Sequence, residues 1–217
     1  MKDFSFYDFV GVIAPGALVV FGLAFFVPVL ADFRSLTTVQ LGGFGIFVAI
    51  AYVAGHLTQA VGNVVEAAYW MPFGGMPTVW VLKRELLAPA QLNRLDALTK
   101  TRWGTALSDI SRDAWLSSTR EMYAAVAAAK RESRIDTFNA IYGLLRGIAA
   151  GAIVLVAAAL ITKGCAAWRV EIALAIAGAS ALYRMHRFAV HYARELFVQF
   201  LDLQRADSVK ASEGTRV

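Results

Sequence analysis

Long apolar stretches alternate with charged ones along this chain, and the pattern predicts an all-α integral membrane protein with four transmembrane helices. Residues 9–30 contain no Asp, Glu, Lys or Arg, and about 20 apolar residues are enough for a helix to cross a bilayer. Pro15-Gly16 inside this stretch predicts a kink rather than a break, since membrane helices tolerate Pro. The spans are predicted at about 9–30, 39–68, 142–162 and 166–183.

Composition and domain organisation agree with a membrane protein. The chain is 58% hydrophobic and 17% charged, whereas soluble domains are nearer 45–50% apolar and about 25% charged. The fourth span is the weakest, because charged residues shorten its uncharged part. The predicted parts are spans one and two in 1–70, a cytoplasmic helical domain in 71–140, spans three and four in 141–183, and a cytoplasmic amphipathic helix and tail in 184–217.

Lysine and arginine are unevenly distributed among these parts. Of the 21 bases, seventeen fall in the segments predicted to be cytoplasmic and three in the short loops on the other side. Because cytoplasmic segments of membrane proteins are enriched in Lys and Arg, both termini and the 71–140 domain are predicted to be cytoplasmic. The same rule accounts for the net charge of +5 without a specific nucleic-acid partner, since no recognition motif accompanies the charge.

The 71–140 domain is predicted to contain short helices followed by one long helix. Pro89 begins a helix with a leucine stripe, and Ser108 and Ser111 are candidate N-caps for the next helix. No Gly or Pro lies between Arg112 and Gly143, so this helix is predicted to continue unbroken into the third span. Domains of about 60 residues are marginal alone, so the apolar faces are predicted to need a second subunit, a partner protein or the membrane surface.

The C-terminal segment has a basic face and an apolar face. Arg184, Arg187 and Arg194 belong to the basic face. Such a helix either lies on the membrane surface or is the docking face for the cytoplasmic helices. The apolar band consists of Phe188, Tyr192, Leu196, Phe197, Phe200 and Leu203.

Four polar residues follow one another in the second span at spacings of three, four and three: His56, Gln59, Asn63 and Glu66. This spacing places them on one helix face, and polar groups at membrane depth usually face the bundle interior or water. They are predicted to line a pore, to relay protons, or to form hydrogen bonds between helices. In each case the face points away from lipid, unless Asn63 and Glu66 simply reach the inner interface.

Small residues recur at intervals of four in the last two spans. Gly143, Gly147 and Gly151 allow close approach of another helix, and are predicted to form a packing face within or between subunits. Ala173, Ala177 and Ala181 repeat the spacing, which predicts that spans three and four pack on each other.

Signatures of catalysis and of cofactor binding are missing from the sequence. It has no P-loop, dinucleotide fingerprint, HExxH motif or nucleophile elbow, so neither an enzyme nor a bound cofactor is expected. His191 and Glu195 lie four apart without a close third ligand, so no metal site is expected. One cysteine, Cys165, excludes an intrachain disulfide.

Two stretches of the first 80 residues have a familiar pattern. The first stretch is Asp8-Phe9-Val10 with Pro15-Gly16. The second is Tyr52, Gly55-His56, Gln59, Asn63 and Glu66, followed by Gly74-Gly75 and Pro77. Together they resemble small multi-pass inner-membrane proteins of bacteria found in anti-phage defence and similar operons. The resemblance implies a bacterial inner membrane and a role as membrane effector or sensor, and it carries over no catalytic residue.

Architecture therefore leaves three functional hypotheses. The first is a homo-oligomeric membrane effector or channel-like protein, with the His56–Glu66 face inward and the cytoplasmic helices as a gate. The second is a membrane anchor or scaffold that recruits a cytosolic protein through residues 78–140. The third is a small transporter subunit.

Overall fold

The computed structural model describes the backbone of residues 6–28, 30 and 41–214, with side chains for 11–28, 30, 43–164 and 166–206. These residues form helices and contain no β-strand, which confirms the all-α class. The loop predicted around Arg34 and the side chain of Cys165 lie outside the described residues. The helices are α1 (Phe6–Phe26), α2 (Leu41–Trp70), α3 (Pro77–Trp80), α4 (Pro89–Trp103), α5 (Arg112–Ala128), α6 (Ser133–Lys163) and α7 (Trp168–Gly214).

Two helices in the described part of the chain are long and apolar enough to cross a membrane. They are Gly43–Trp70, within α2, and Ser133–Lys163, which is α6. A shorter apolar helix, Gly11–Phe26, lies within α1. The segment predicted as the fourth span forms the start of α7 and does not meet the same criterion. In the described residues, two of the four predicted spans are thus long and apolar enough to cross a membrane.

The chain divides into two compact units. The first contains the described residues of Met1–Tyr69 and Ala140–Arg187, and the second those of Trp70–Asn139 and Phe188–Val217. Helix α6 begins in the second unit and ends in the first, and α7 does the reverse. Each of these helices therefore contributes residues to both units.

Small residues bring the helices of the first unit together. A Cβ atom built on Gly16 of α1 would lie 1.8 Å from the Ala51 carbonyl oxygen of α2, and one on Gly55 would lie 2.1 Å from the Val12 oxygen. No side chain fits at either point, so the α1 and α2 backbones are in direct contact. Alanines fill much of the remaining core, where Ala51, Ala149, Ala150, Ala152 and Ala159 are buried.

Aromatic side chains form the core of the second unit. Trp115 of α5 is fully buried and stacks on Phe197 of α7, with ring centroids 5.7 Å apart. Its Nε1 donates to the Thr78 oxygen at 2.8 Å, so the buried indole is satisfied. Leu95 of α4 and Phe200 of α7 join the same cluster.

This core corrects the prediction that the apolar faces of 71–140 need a second subunit, a partner protein or the membrane surface. The C-terminal part of the same chain covers them: Leu196, Phe197 and Phe200 are each at most 1% exposed. The docking alternative for the C-terminal amphipathic segment is thereby confirmed. That segment is also not a separate helix, because it continues α7.

The single long helix predicted from Arg112 into the third span is wrong. Helix α5, capped by the Ser111 side chain as predicted, ends at Ala128, and α6 begins at Ser133. Between them Lys130 is left-handed, with φ of 57°, and the Arg131 N–H donates to the Val126 oxygen at 3.1 Å. This is a Schellman termination with Lys where Gly is usual, so the sequence carried no Gly or Pro signal.

Side-chain contacts hold the corner between α5 and α6. The Tyr123 hydroxyl donates to Asp136 at 2.7 Å, and burial together with this carboxylate raises the pKa of Tyr123. Arg131 pairs with Asp202 of α7 at 2.6 Å. The chain reversal is therefore tied both to the next helix and to the C-terminal part of α7.

Candidate functional site

The four polar residues of α2 fall into two adjacent rows. Gln59 and Glu66 are partly buried and bonded to other helices, whereas His56 and Asn63 are exposed. Gln59 and Glu66 are seven residues apart, and so are His56 and Asn63. At roughly 100° per residue, residues seven apart lie nearly in line along the helix, and the two rows are about 60° apart around its axis. The spacing placed all four on one face, but that face is wide enough to divide between the bundle interior and the outside.

Gln59 lies at the junction of three helices. Its Nε2 donates to the Gly11 oxygen of α1 at 3.0 Å and to the Gly143 oxygen of α6 at 3.2 Å. Pro15 has no N–H, so Gly11 lacks the helical donor that residue i+4 normally supplies. The Gln59 amide supplies it instead, which is how a neighbouring helix makes Pro tolerable in an apolar helix.

Arg146 of α6 completes the cluster. Its Nη2 and Nε donate to the Gln59 Oε1 at 3.0 and 3.3 Å, and its Nη1 donates to the Glu66 carboxylate. The side chains of Arg146 and Glu66 are 22% and 18% exposed. The Arg146 side chain thus turns onto α2, where a carboxylate and an amide satisfy its donors.

The cluster's geometry suits a clamp between helices better than a proton path. Both polar atoms of the Gln59 amide are engaged, and the guanidinium of Arg146, which stays protonated in proteins, bridges Gln59 to Glu66. A group that never releases its proton does not relay one. The sequence contains one signal for the pairing of Glu66 with Arg146: their opposite charges lie near the same end of two predicted spans that run in opposite directions.

The three glycines predicted to form one packing face have different surroundings. A Cβ atom on Gly147 would lie 2.7 Å from the Pro15 ring, and one on Gly151 would lie 3.1 Å from Val19. Gly143 has nothing within 4 Å of its Cβ position. Gly147 and Gly151 therefore pack against α1 within the chain, and Gly143 contributes its carbonyl oxygen rather than a packing surface.

Helices α6 and α7 do pack on each other, but not through all the predicted alanines. Ala181 is buried, while Ala173 and Ala177 are exposed. A Cβ atom on Gly178 would lie 3.1 Å from the Cβ of Ala152. The contact row on α7 is therefore 174, 178 and 181, which retains Ala181 from the predicted series and shifts the other two positions by one residue.

The basic residues of α7 point to different partners. Arg194 donates to the Leu86 oxygen of the second unit at 3.4 Å, and Arg187 to the Tyr183 hydroxyl at 3.3 Å. Arg184 is exposed. Sequence reasoning missed a neighbouring pair, His186 and Tyr69, whose Nδ1 and hydroxyl lie 3.1 Å apart. Burial lowers the pKa of His186, which favours the neutral ring.

Substituting Gln59 by Leu is expected to destabilise the protein by about 1–2 kcal/mol, because the Gly11 carbonyl loses its donor inside an apolar bundle. Pro15→Ala restores a backbone N–H to that carbonyl. The Gln59→Leu substitution should therefore cost about 1 kcal/mol less in the Pro15→Ala background, as measured by a double-mutant cycle of unfolding in detergent. Equal costs in both backgrounds would show that Gln59 does not compensate for the proline.

The part of the chain with described side chains contains no candidate metal centre. No group of three or more His, Cys, Asp or Glu residues there is placed to hold a metal ion. No protein-family model, curated protein or solved structure matches the chain.

Proposed function

We propose that this protein is a homo-oligomeric membrane effector or channel-like component of a bacterial inner membrane. In this proposal it has four spans and cytoplasmic termini. The two helices long enough to cross a membrane support it. So does the outward surface at the start of α7, where Val170, Ile172 and Ile176 are each about half exposed or more, as expected of residues that face lipid.

The exposed polar row of α2 is the observation that carries the oligomer. His56 and Asn63 alternate with Ala60 and Ala67 at spacings of four, three and four, and all four are exposed in the single chain. Polar side chains at membrane depth are costly when they face lipid, and small residues between them admit a second helix closely. A second copy of the chain would remove both residues from lipid.

The burial of the two apolar helices points the same way. In the most apolar 18-residue window of each helix, 39% is buried for α6 but only 17% for α2. The helix that carries the polar residues is thus the less covered one. Copies arranged around a symmetry axis, with α2 of each copy facing that axis, would turn His56 and Asn63 towards it and would line a polar path there.

The second unit would act as the gate in this proposal. Helices α6 and α7 each contribute residues to this unit and to the first. The scaffold alternative, recruitment of a cytosolic protein through residues 78–140, loses its original motive because α7 fills that core. It would become the leading proposal if the protein proved to be monomeric.

The oligomeric state in nanodiscs tests the proposal directly. Native mass spectrometry is expected to show a defined oligomer of the wild-type chain. Asn63→Leu should weaken association by roughly threefold to thirtyfold, which corresponds to the loss of one interhelical hydrogen bond of about 0.6–2 kcal/mol. Leu57→Ala, on an exposed position of the same helix outside the row, is the control and should leave the distribution unchanged.

Cross-linking locates the interface. In a Cys165→Ser background, Asn63→Cys should form a disulfide-linked dimer in membranes, and Leu57→Cys should not. Ion flux that stayed at the background level, with and without oxidation, would argue against the channel but not against the oligomer. A monomer with no cross-link at position 63 contradicts the proposal.

A further inference from the structure

A short turn follows α2 directly and exposes large apolar side chains. Met71 is 77% exposed and Phe73 is 41% exposed. Both come immediately after Trp70, the last residue of a helix able to cross a membrane. Exposed apolar and aromatic side chains at the end of a span are typical of the zone between headgroups and acyl chains.

The turn is held in one conformation by its own hydrogen bonds. The Gly74 and Gly75 N–H groups donate to the Met71 and Trp70 oxygens at 3.2 and 3.1 Å. The indole Nε1 of Trp80 donates to the Gly75 oxygen at 3.0 Å and to the Phe73 oxygen at 3.2 Å. The turn therefore has a single, hydrogen-bonded conformation.

Two cations flank this turn. A Cβ atom on Gly74 would lie 2.8 Å from the Lys83 Nζ, and one on Gly75 would lie 2.6 Å from the Arg112 Nη2. Both glycines have positive φ, 72° and 113°, and any side chain there would also displace a cation. Because the glycines are adjacent, the two positive charges lie over the same turn.

No carboxylate among the described residues neutralises these charges. Glu85 and Asp113 are close along the chain, yet neither forms an ion pair with Lys83 or Arg112. Two like charges brought together without a counter-ion favour an anion between them. Arg and Lys are the usual ligands of phosphate oxygens, Arg through a planar fork and Lys as a point charge.

We propose that the turn at 70–76, together with Lys83 and Arg112, binds the phosphodiester headgroup of an anionic phospholipid. Met71 and Phe73 would enter the acyl region, while the two cations hold the headgroup. The combination distinguishes a lipid from a free phosphate, since a free phosphate would gain nothing from the exposed apolar pair. This inference rests on the membrane location proposed above but not on the oligomer or the channel.

The test measures lipid selectivity by electron paramagnetic resonance. Wild-type protein is reconstituted with spin-labelled phosphatidylglycerol or spin-labelled phosphatidylcholine in a phosphatidylcholine bilayer. The anionic label is expected to be preferred, and Lys83→Gln/Arg112→Gln should lower that preference about thirtyfold, since two bases are removed and each base near an anionic lipid contributes on the order of 1 kcal/mol. Met71→Ser/Phe73→Ser should weaken retention of the label without altering charge.

Arg94→Gln/Arg120→Gln is the matched control, since it removes the same charge from exposed positions of the second unit and should leave selectivity unchanged. An equal loss in this control, or no preference in the wild type, overturns the lipid site. Preference unaffected by a large excess of glycerophosphoglycerol supports a lipid, whereas full displacement by this tail-free headgroup overturns it. Failure of every variant and of the wild type to enter bilayers would refute the membrane location itself.

Discussion

Gly16→Ala is expected to destabilise the protein by about 3 kcal/mol or more, the upper end for overpacked cores. The added methyl carbon would lie 1.8 Å from the Ala51 oxygen and 2.5 Å from the Gly55 nitrogen. Both are backbone atoms, so no side-chain rotation relieves the clash, and α1 must move away from α2. For a chain of this size the thermal midpoint should fall by roughly 6–12 °C, measured by tryptophan fluorescence in detergent.

Gly143→Ala provides the matched control. Its Cβ position has nothing within 4 Å, so alanine adds no clash, and its higher helix propensity is worth up to about 1 kcal/mol. The control should be neutral or slightly stabilising. If both variants melted at the wild-type temperature, the direct backbone contact of α1 with α2 would be refuted.

Glu66→Ala is expected to cost about 2–3 kcal/mol, because it leaves the Arg146 guanidinium without its carboxylate in a largely buried site. Removing one partner of a buried ion pair costs about 3–5 kcal/mol, and the lower figure here reflects the 22% and 18% exposure of the two side chains. The measurement is the free energy of unfolding in detergent, with Val64→Ala, a 70% exposed position of the same helix outside the polar row, as the control.

A second substitution separates the ion pair from simple packing. Arg146→Met in the Glu66→Ala background removes the unpaired charge and keeps most of the volume, so part of the lost stability should return. A double variant less stable than Glu66→Ala alone would mean that Arg146 stabilises the protein through Gln59 or through its alkyl chain rather than through Glu66.

Much of the helical architecture follows from local pattern. Apolar runs, Pro89 at a helix start and Ser111 as a cap are visible in the sequence, because they depend on residues a few positions apart. The break between α5 and α6 is not visible, since Lys130 occupies a left-handed position that Gly usually signals. The long-range contact with α7 that covers the second unit cannot be read from local composition either.

The polar cluster was partly predictable for the same reason. Spacing on one helix grouped Gln59 and Glu66, but it does not say which of two neighbouring rows points inward. That choice depends on Arg146, which lies 80 residues after Glu66, and on the Gly11 carbonyl left without a donor by Pro15. A sequence shows where a proline leaves a carbonyl without its backbone donor, but it does not show which side chain donates to that carbonyl instead.

The separation between Glu66 and Arg146 also has a consequence for biogenesis. A ribosome adding about 5–20 residues per second needs roughly 4–16 s to synthesise the intervening 80 residues. During that interval the nascent chain presents a carboxylate, and a proline-freed carbonyl one helix earlier, with no guanidinium to meet them. In the proposed membrane topology, α1 and α2 are therefore not a self-sufficient insertion unit, and they reach their final position in the bilayer only after α6 has been translated.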